Sequence, residues 1–192
     1  MRVIAGCYRG RALTAPKGRG TRPTTDRVKE TLMSTLQSAY GSFRETQVLD
    51  AFAGSGALGI ECLSRGAQTA HFFEKDRAAL EALSTNISTL GIPSEKARVF
   101  KRDIIKKPPV MGDNPYDLVF LDPPYAYNAK EILALLRSLK DARMLADDAV
   151  ISYEHDSSLD LASLLNEGVK MDILTRKQFG NTTIDVLTFS NA

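Results

Sequence analysis

The chain has 192 residues, of which 43% are hydrophobic and 25% are charged, as in an ordinary globular domain. No apolar run approaches the roughly 20 residues that span a bilayer, and the N-terminus lacks the apolar core of a signal peptide. With two cysteines and two histidines, the sequence supports neither a disulfide framework nor a zinc site. We therefore expect one domain in the cytoplasm, with no membrane contact and no metal ion.

Positive charge is concentrated at the N-terminus, although the net charge is only +2. Residues 1–29 carry eight basic side chains and one acid, which gives +7 there and leaves −5 for residues 30–192. Such a segment suits the phosphate backbone of a nucleic acid, because charge neutralisation releases counterions. The alternative is a solvated basic tail. The predicted nucleic-acid contacts are Arg2, Arg9, Arg11, Lys17, Arg19, Arg22 and Arg27, and the eighth basic residue of the segment is Lys29.

The N-terminal segment predicts a small hairpin, then a loop, then a helix. Residues 2–18 alternate weakly in hydropathy about Gly10 and end in turn residues, which favours the hairpin. Thr24, Thr25 or Asp26 can cap the helix that follows, whose apolar side chains repeat at helical spacing.

Strand and helix patterns alternate in the rest of the chain, which implies right-handed crossovers and a parallel sheet covered on both faces. The predicted strands are 47–52, 69–74, 97–102, 117–121 and 149–154, and the predicted helices lie near 57–65, 77–90, 129–140 and 159–166. Two β-rich runs flank Gly180 and Asn181 and indicate an antiparallel hairpin at one edge. We expect residues 1–192 to form one domain, with 1–40 as a basic extension and 41–192 as its core.

The stretch VLDAFAGSGALG places Gly54, Gly56 and Gly59 in a G-x-G-x-x-G spacing between a predicted strand and a predicted helix. This spacing alone allows a dinucleotide, with Glu74 on the ribose hydroxyls, or another adenosine ligand. Asp50 precedes the glycine turn, where a carboxylate disfavours a pyrophosphate but suits the ammonium and sulfonium groups of S-adenosylmethionine. The loop therefore favours a cationic adenosine cofactor.

Acidic residues stand at the ends of four predicted strands: Asp50, Glu74, Asp103 and Asp122. The carboxyl ends of parallel strands meet at one edge of a sheet, where ligands bind in α/β proteins. We expect Glu74 to take ribose hydroxyls and Asp103 to take an adenine amino group. Neither Asp50 nor Glu74 is expected to contribute to core packing, so that removing either should leave the fold intact.

The stretch DLVFLDPPY begins as a buried strand and closes on an acid, two prolines and a tyrosine. Proline cannot extend the hydrogen-bond ladder, so the chain leaves the sheet at Asp122. The amine of a nucleobase is a poor nucleophile because its lone pair is delocalised, and acceptors on both N–H bonds point that lone pair at an electrophile. We predict Asp122 and the Pro123 carbonyl as these acceptors, Pro124 as a residue that fixes their direction, and Tyr125 as a stacking surface for the base. A proline-rich turn with a helix-capping aspartate is the structural alternative.

Together these motifs resemble class I S-adenosylmethionine-dependent methyltransferases. Within that class the chain closely resembles the RsmD family, the bacterial guanine-N2 methyltransferases of small-subunit (16S) ribosomal RNA. The matching stretches cover nearly the whole chain in order: RVIAGCYRGRALTAPKG, TRPTTDRVKETLMSTL, VLDAFAGSGALGIECLSRGA, FFEKD, FLDPPY and FGNTTIDVL. The resemblance implies a Rossmann-like α/β fold, with a seven-stranded, mostly parallel sheet whose last strand is antiparallel.

The resemblance also implies S-adenosylmethionine as the cofactor and 16S ribosomal RNA, free or within an assembling 30S particle, as the partner. We expect a monomer. The expected cofactor contacts are Asp50, Ala51, Gly54, Gly56, Glu74, Lys75, Asp103, Ile104 and Asp122. Residues 122–125 are expected around the target guanine, whereas Arg22 and Thr24 can contact either the RNA or the cofactor carboxylate.

Three other functions account for part of the sequence. An NAD-dependent oxidoreductase explains the glycines and Glu74 but gives no role to Asp50, to DPPY or to the basic segment. A non-catalytic RNA-binding protein explains the basic segment but not an amine clamp beside a cofactor loop. A DNA adenine or cytosine amino-methyltransferase shares the chemistry but usually carries a target-recognition domain, for which few residues are left. Methylation of RNA fits best.

Overall fold

The computed structural model describes residues 1–16, 26–112, 114–124, 126–167 and 170–190. Its strands are β1 Gln47–Asp50, β2 Thr69–Glu74, β3 Ala97–Lys101, β4 Tyr116–Leu121, β5 Leu145–Asp156, β6 Met171–Phe179 and β7 Thr182–Phe189. Its helices are α1 Asp26–Tyr40, α2 Ala57–Ser64, α3 Arg77–Leu90, α4 Ala129–Asp141 and α5 Leu161–Glu167. Within the described residues, no helix combines the length and the apolar character needed to cross a membrane.

The seven strands form one sheet in the order β3-β2-β1-β4-β5-β7-β6. Neighbouring strands from β3 to β5 are parallel, whereas β7 is antiparallel to both β5 and β6. The predicted mostly parallel sheet with an antiparallel last strand is therefore confirmed. Because β1 pairs with β2 on one side and β4 on the other, the strand order reverses at β1, and the carboxyl ends of β1 and β4 form the switch point at which ligands bind in such sheets.

Two of the predicted elements differ most from the structure in extent. Strand β5 extends beyond the predicted 149–154 at both ends, because pairing with β4 begins at Leu145 and pairing with β7 continues as far as Asp156 and Thr182. The predicted N-terminal hairpin is reduced to a single antiparallel bridge between Arg2 and Ala12. Hydrogen bonds within residues 1–13 hold a compact loop there without a regular ladder.

Each face of the sheet has its own hydrophobic core. Helices α1, α2 and α3 contribute to one core, and α4 and α5 contribute to the other. In α4 the predicted apolar stripe is buried, and a capping box formed by Asn128 and Glu131 fixes where that helix begins. Asp76 caps α3 by accepting a hydrogen bond from the Ala79 N–H. These caps start α3 and α4 just after the carboxyl ends of β2 and β4.

A buried ion pair attaches the N-terminal segment to the sheet. The Lys29 ammonium on α1 lies 3.1 Å from the Glu61 carboxylate on α2, and both side chains are fully buried. The same carboxylate accepts the backbone N–H groups of Ile4 at 2.8 Å and Ala5 at 2.9 Å, while Lys29 donates to the Arg2 carbonyl. Lys29 was counted among the basic residues of the N-terminal segment but not among the predicted nucleic-acid contacts, and its charge does not lie on the surface. Its charge neutralises Glu61 in the interior.

We expect Lys29→Met to lower the free energy of unfolding by about 3 kcal/mol, because it removes the fully buried cation beside Glu61 and leaves that carboxylate only the partly exposed Arg65, 3.0 Å away. Urea unfolding monitored by circular dichroism measures the change. The control is Glu30→Gln at the neighbouring exposed position, which should change stability by less than about 0.5 kcal/mol. Equal stabilities for the two variants would show that the ion pair does not stabilise the fold.

Candidate active site at the carboxyl edge of the sheet

The four acids predicted at strand ends follow four adjacent strands of the sheet. Asp50 is the last residue of β1 and Glu74 the last of β2, whereas Asp103 and Asp122 come just after β3 and β4. Strand pairing sets Asp50 opposite Phe120, two residues before Asp122. The parallel sheet thus brings the four acids to one edge, beside the point where the strand order reverses.

Asp50 is a carboxylate in the protein interior. The residue is 3% exposed, and its Oδ2 atom accepts the Gly59 N–H at 3.0 Å. Burial raises the pKa of Asp50 to about 7, the Gly59 hydrogen bond opposes this shift, and the nearby charges of Asp122 and Glu74 add to it. The protein alone therefore stabilises the negative charge of Asp50 poorly, and a cation placed beside this carboxylate would be bound favourably.

Glu74 organises the glycine loop that follows β1. One carboxylate oxygen accepts the Gly54 N–H at 2.8 Å, and the other accepts the N–H groups of Lys75 at 2.7 Å and Asp76 at 2.8 Å. Gly56 has a φ of +80°, and a Cβ atom there would lie 2.3 Å from a methyl group of Leu83. This backbone conformation therefore requires glycine.

Asp50 and Glu74 both take part in the fold, and for Asp50, which is buried, this differs from our expectation that it does not contribute to core packing. Glu74 accepts the Gly54 N–H of the loop between β1 and α2, whereas Asp50 accepts the Gly59 N–H in the first turn of α2. Gly54 lies beyond the end of the sheet ladder and Gly59 lies at a helix N-terminus, so each N–H needs an acceptor from outside its own element. Ala51, at the start of the segment, is itself buried and donates its N–H to the Phe120 carbonyl at 3.0 Å.

Asp122 is the first residue after β4 and is followed by the two prolines. The residue is exposed at the edge of the sheet, and partial desolvation of its carboxylate raises the pKa of Asp122 to about 6. The Tyr127 N–H donates to the Pro124 carbonyl at 3.0 Å and closes a turn after the strand. Tyr125, the predicted stacking residue, lies outside the described residues.

Asp103 forms a polar cluster with Lys75 and Tyr127. Its Oδ2 atom accepts the Tyr127 hydroxyl at 2.6 Å and the Lys75 ammonium at 3.0 Å, and that ammonium lies 2.5 Å from the Tyr127 oxygen. Burial raises the pKa of Asp103, but the hydrogen bonds from Tyr127 and Lys75 outweigh it and leave that pKa below its ordinary value. The hydrogen bonds that the Lys75 ammonium donates to Tyr127 and to Asp103 raise the pKa of Lys75 to about 12. Ile104, the neighbouring predicted contact, is buried in the core.

Sequence reasoning missed two residues at this edge, Asn86 and Tyr127. The Asn86 side chain is buried, accepts the Thr14 N–H at 2.7 Å, and donates to the carbonyls of Thr14 at 3.0 Å and Ser55 at 2.9 Å. It therefore joins the N-terminal segment to the glycine loop. One signal was available, because Asn86 interrupts the apolar stripe of α3 at a position three residues after Leu83.

The predicted nucleic-acid residues fall into two groups. Arg2, Arg9, Arg11 and Arg27 are all exposed. Arg2 also pairs with Asp26 at 2.9 Å, and Arg11 donates to the Thr89 carbonyl at 3.1 Å. The remaining three, Lys17, Arg19 and Arg22, lie outside the described residues, as do the candidate helix caps Thr24 and Thr25.

The sheet order, the glycine loop after β1 and the acids at the carboxyl edge define a Rossmann-like methyltransferase. A protein-family model described as "Conserved hypothetical protein 95" matches residues 1–188. The chain belongs to that family, the RsmD family, as its motifs indicated.

Relatives and solved structures agree with this assignment. The "Ribosomal RNA small subunit methyltransferase D" of Haemophilus influenzae is 42% identical over 140 residues, which cover 71% of this chain and 70% of the relative. The "Putative rRNA methyltransferase YlbH" of Bacillus subtilis is 35% identical over 97% of both chains. The structure of "Putative methyltransferase yhhF from Escherichia coli" is 33% identical, with a TM-score of 0.76 over 98% of this chain and 97% of that one. The predicted enzyme class is confirmed, and the oxidoreductase alternative is not favoured.

We expect Asp50→Asn to stabilise the protein above neutral pH. Because the folded-state pKa of Asp50 is raised to about 7, its contribution to stability is fully present below about pH 4 and is lost as the pH rises through 7. The asparagine oxygen still accepts the Gly59 N–H but carries no charge. The variant should therefore gain about 2 to 4 kcal/mol in the free energy of unfolding at pH 8 and nothing near pH 4.

Urea unfolding of the protein without added cofactor, at a series of pH values, tests this expectation. The control is Asp147→Asn at an exposed position of β5, which should not change the pH profile. A variant that is less stable than the wild type at pH 8 would show that the ionised Asp50 carboxylate is well compensated within the protein.

Proposed function

We propose that the protein transfers the methyl group of S-adenosylmethionine to the exocyclic N2 amine of a guanine in small-subunit (16S) ribosomal RNA. The observation that carries this proposal is the position of Asp122, Pro123 and Pro124. They follow β4 directly, beside the buried Asp50 carboxylate and the glycine loop. The site thus combines a cofactor loop with acceptors for an amine, as methylation of a base amine requires.

The charges and backbone of the site fit S-adenosylmethionine. The carboxylates of Asp50, Glu74 and Asp122 raise local negative charge, which the cationic ligand would offset. Gly54 has a positive φ and open space where a Cβ atom would lie, so the loop leaves room there for a ligand, whereas Gly56 lets the loop pack against Leu83. The proposed contacts are Asp50, Ala51, Gly54, Gly56, Glu74, Lys75, Asp103, Ile104 and Asp122. When bound, the cofactor supplies an activated methyl group.

The residues after β4 are proposed to orient the target amine. The Asp122 carboxylate and the Pro123 carbonyl accept its two N–H bonds, so that the nitrogen lone pair points at the methyl carbon. As the N–C bond forms and the S–C bond breaks, the amine releases one proton. With a pKa of about 6, Asp122 is mostly ionised at neutral pH and can take that proton or pass it to solvent. Tyr125 is proposed to stack on the base.

Ribosomal RNA is proposed as the substrate from two observations. Relatives that are 41 to 42% identical carry the name "Ribosomal RNA small subunit methyltransferase D". In addition, the N-terminal segment supplies exposed basic side chains such as Arg9. We further propose that the enzyme acts as a monomer in the cytoplasm, on 16S RNA that is free or within an assembling 30S particle.

We expect Asp122→Ala to retain S-adenosylmethionine binding, because the other proposed contacts remain, but to lose about 10²-fold or more in the rate of transfer. Asp122→Asn keeps an acceptor oxygen without the charge and should have an intermediate rate. Single-turnover assays on 16S RNA or small subunits lacking the modification, with calorimetry for cofactor affinity, measure both effects.

Mass spectrometry of the product nucleosides tests the substrate assignment in the same assays. N2-methylguanosine from the wild-type enzyme supports the proposal. Near wild-type turnover in Asp122→Ala would refute the role of the carboxylate. A methylated adenine or cytosine, or a product on DNA alone, would retain the amine chemistry and refute the proposed substrate.

We expect the double variant Arg9→Ala with Arg11→Ala to weaken RNA binding and to flatten its dependence on salt, by roughly one slope unit for each phosphate that is no longer neutralised. Its affinity for S-adenosylmethionine should not change. The matched control removes two positive charges near the amino end of β3, at Lys96 and Arg98. Equal salt slopes for the two double variants would identify the N-terminal arginines as solvated side chains without an RNA contact.

A further inference from the structure

We propose that Tyr127 is a positioning residue, which sets the turn after β4 relative to the bound cofactor through its hydrogen bond to Asp103. This inference deepens the proposed function and rests on it. Tyr127 does not touch the transferred methyl group in this scheme. It fixes the segment that carries Asp122 and Pro123.

Tyr127 contacts residues that follow three other strands. Its hydroxyl donates to Asp103 after β3, and its ring lies beneath the Lys75 ammonium after β2, at 4.8 Å from the ring centroid. The ring also packs against Phe52 after β1, with 5.7 Å between centroids. A single side chain from the segment after β4 therefore connects the ends of all the strands that carry the proposed cofactor contacts.

The turn after β4 needs an anchor of this kind. Pro123 and Pro124 have no N–H groups, so neither can donate a backbone hydrogen bond that would hold the turn against the sheet. The Tyr127 N–H donates to the Pro124 carbonyl at 3.0 Å and links the side chain closely to the prolines. The phenol hydroxyl thus replaces backbone anchors that the two prolines cannot provide.

The bond to Asp103 is well suited to fix the distance between the turn and the cofactor. An O–H donor 2.6 Å from an ionised carboxylate forms a short, charge-assisted hydrogen bond. The second oxygen of Asp103 accepts the Ile105 N–H at 3.1 Å, and a carboxylate has further lone pairs for an adenine amino group. Asp103 can therefore bind the cofactor and Tyr127 at the same time. The same side chain then fixes the cofactor and the amine acceptors relative to one another.

The test compares Tyr127→Phe with Tyr116→Phe. Both variants remove one phenol hydroxyl, but the Tyr116 hydroxyl pairs with His71 at 2.8 Å and belongs to the first residue of β4, at the opposite end of the strand. In the protein without cofactor, Tyr127→Phe should raise hydrogen exchange of the peptide 121–128 several-fold, and Tyr116→Phe should not. Calorimetry should give affinities for S-adenosylmethionine within about threefold of the wild type for both variants.

The transfer step should separate the two variants. Tyr127→Phe should lower the single-turnover rate about tenfold at saturating cofactor and RNA, because small displacements of reacting groups are costly, whereas Tyr116→Phe should retain the wild-type rate. Combining Tyr127→Phe with Asp103→Asn should lower that rate little further than Asp103→Asn alone, since both changes break the same bond. If the double variant lowered the transfer rate by the product of the two single effects, Tyr127 would act independently of Asp103, and the inference would be overturned.

Two other results would also overturn it. One is tighter cofactor binding by Tyr127→Phe with an unchanged transfer rate, which would mean that the hydroxyl competes with the adenine for Asp103. The other is unchanged hydrogen exchange in the peptide 121–128. If the wild-type enzyme does not methylate ribosomal RNA at all, the proposed function fails, and the exchange measurement still decides whether Tyr127 anchors the turn.

Discussion

The carboxylate of Asp50, held in the interior at the point where the strand order reverses, is the constraint on which the site depends. Its negative charge is desolvated and lies near Glu74 and Asp122, so the protein alone stabilises it incompletely. Hydrogen bonds at the same edge of the sheet offset part of the free energy lost by burying this charge. The Gly59 N–H donates to it, and Glu74 holds the loop that places Gly59 there. A protein that retains such a charge gives up stability for a site that favours a cation.

Two buried side chains, the carboxylate of Glu61 and the amide of Asn86, attach the N-terminal segment to the helices beside this site. Glu61 on α2 binds the backbone of Ile4 and Ala5, and Asn86 on α3 pairs with Thr14 while reaching the Ser55 carbonyl. Both helices begin at the carboxyl edge, after β1 and β2. The loop that surrounds the proposed cofactor therefore shares its supports with the segment that carries the basic side chains.

Periodic patterns in the sequence predicted the sheet, most of its helices and the positions of the strand-end acids, because these features depend on local hydropathy and on the geometry of parallel strands. The C-terminal hairpin followed from its turn residues, Gly180 and Asn181. Side-chain partners across the fold were not predictable in the same way. Lys29 carries the same charge as Arg9, and only the packing of α1 against α2 distinguishes a buried ion pair from an exposed cation. Likewise, Tyr127 reaches Asp103 across 24 positions of sequence, which no local pattern encodes.

The placement of β7 between β5 and β6 has a consequence for the order of folding. Strands β1 to β5 can assemble by parallel pairing as the chain emerges, but β5 then presents the edge of Val150–Asp156 until β7 adds to it. Since β6 comes earlier in the chain and pairs only with β7, it cannot cover that edge by itself. An uncovered edge of this length is a template for pairing with other chains. Nascent molecules interrupted within the hairpin should therefore associate with one another, and timely synthesis of residues 182–189 protects the sheet from aggregation.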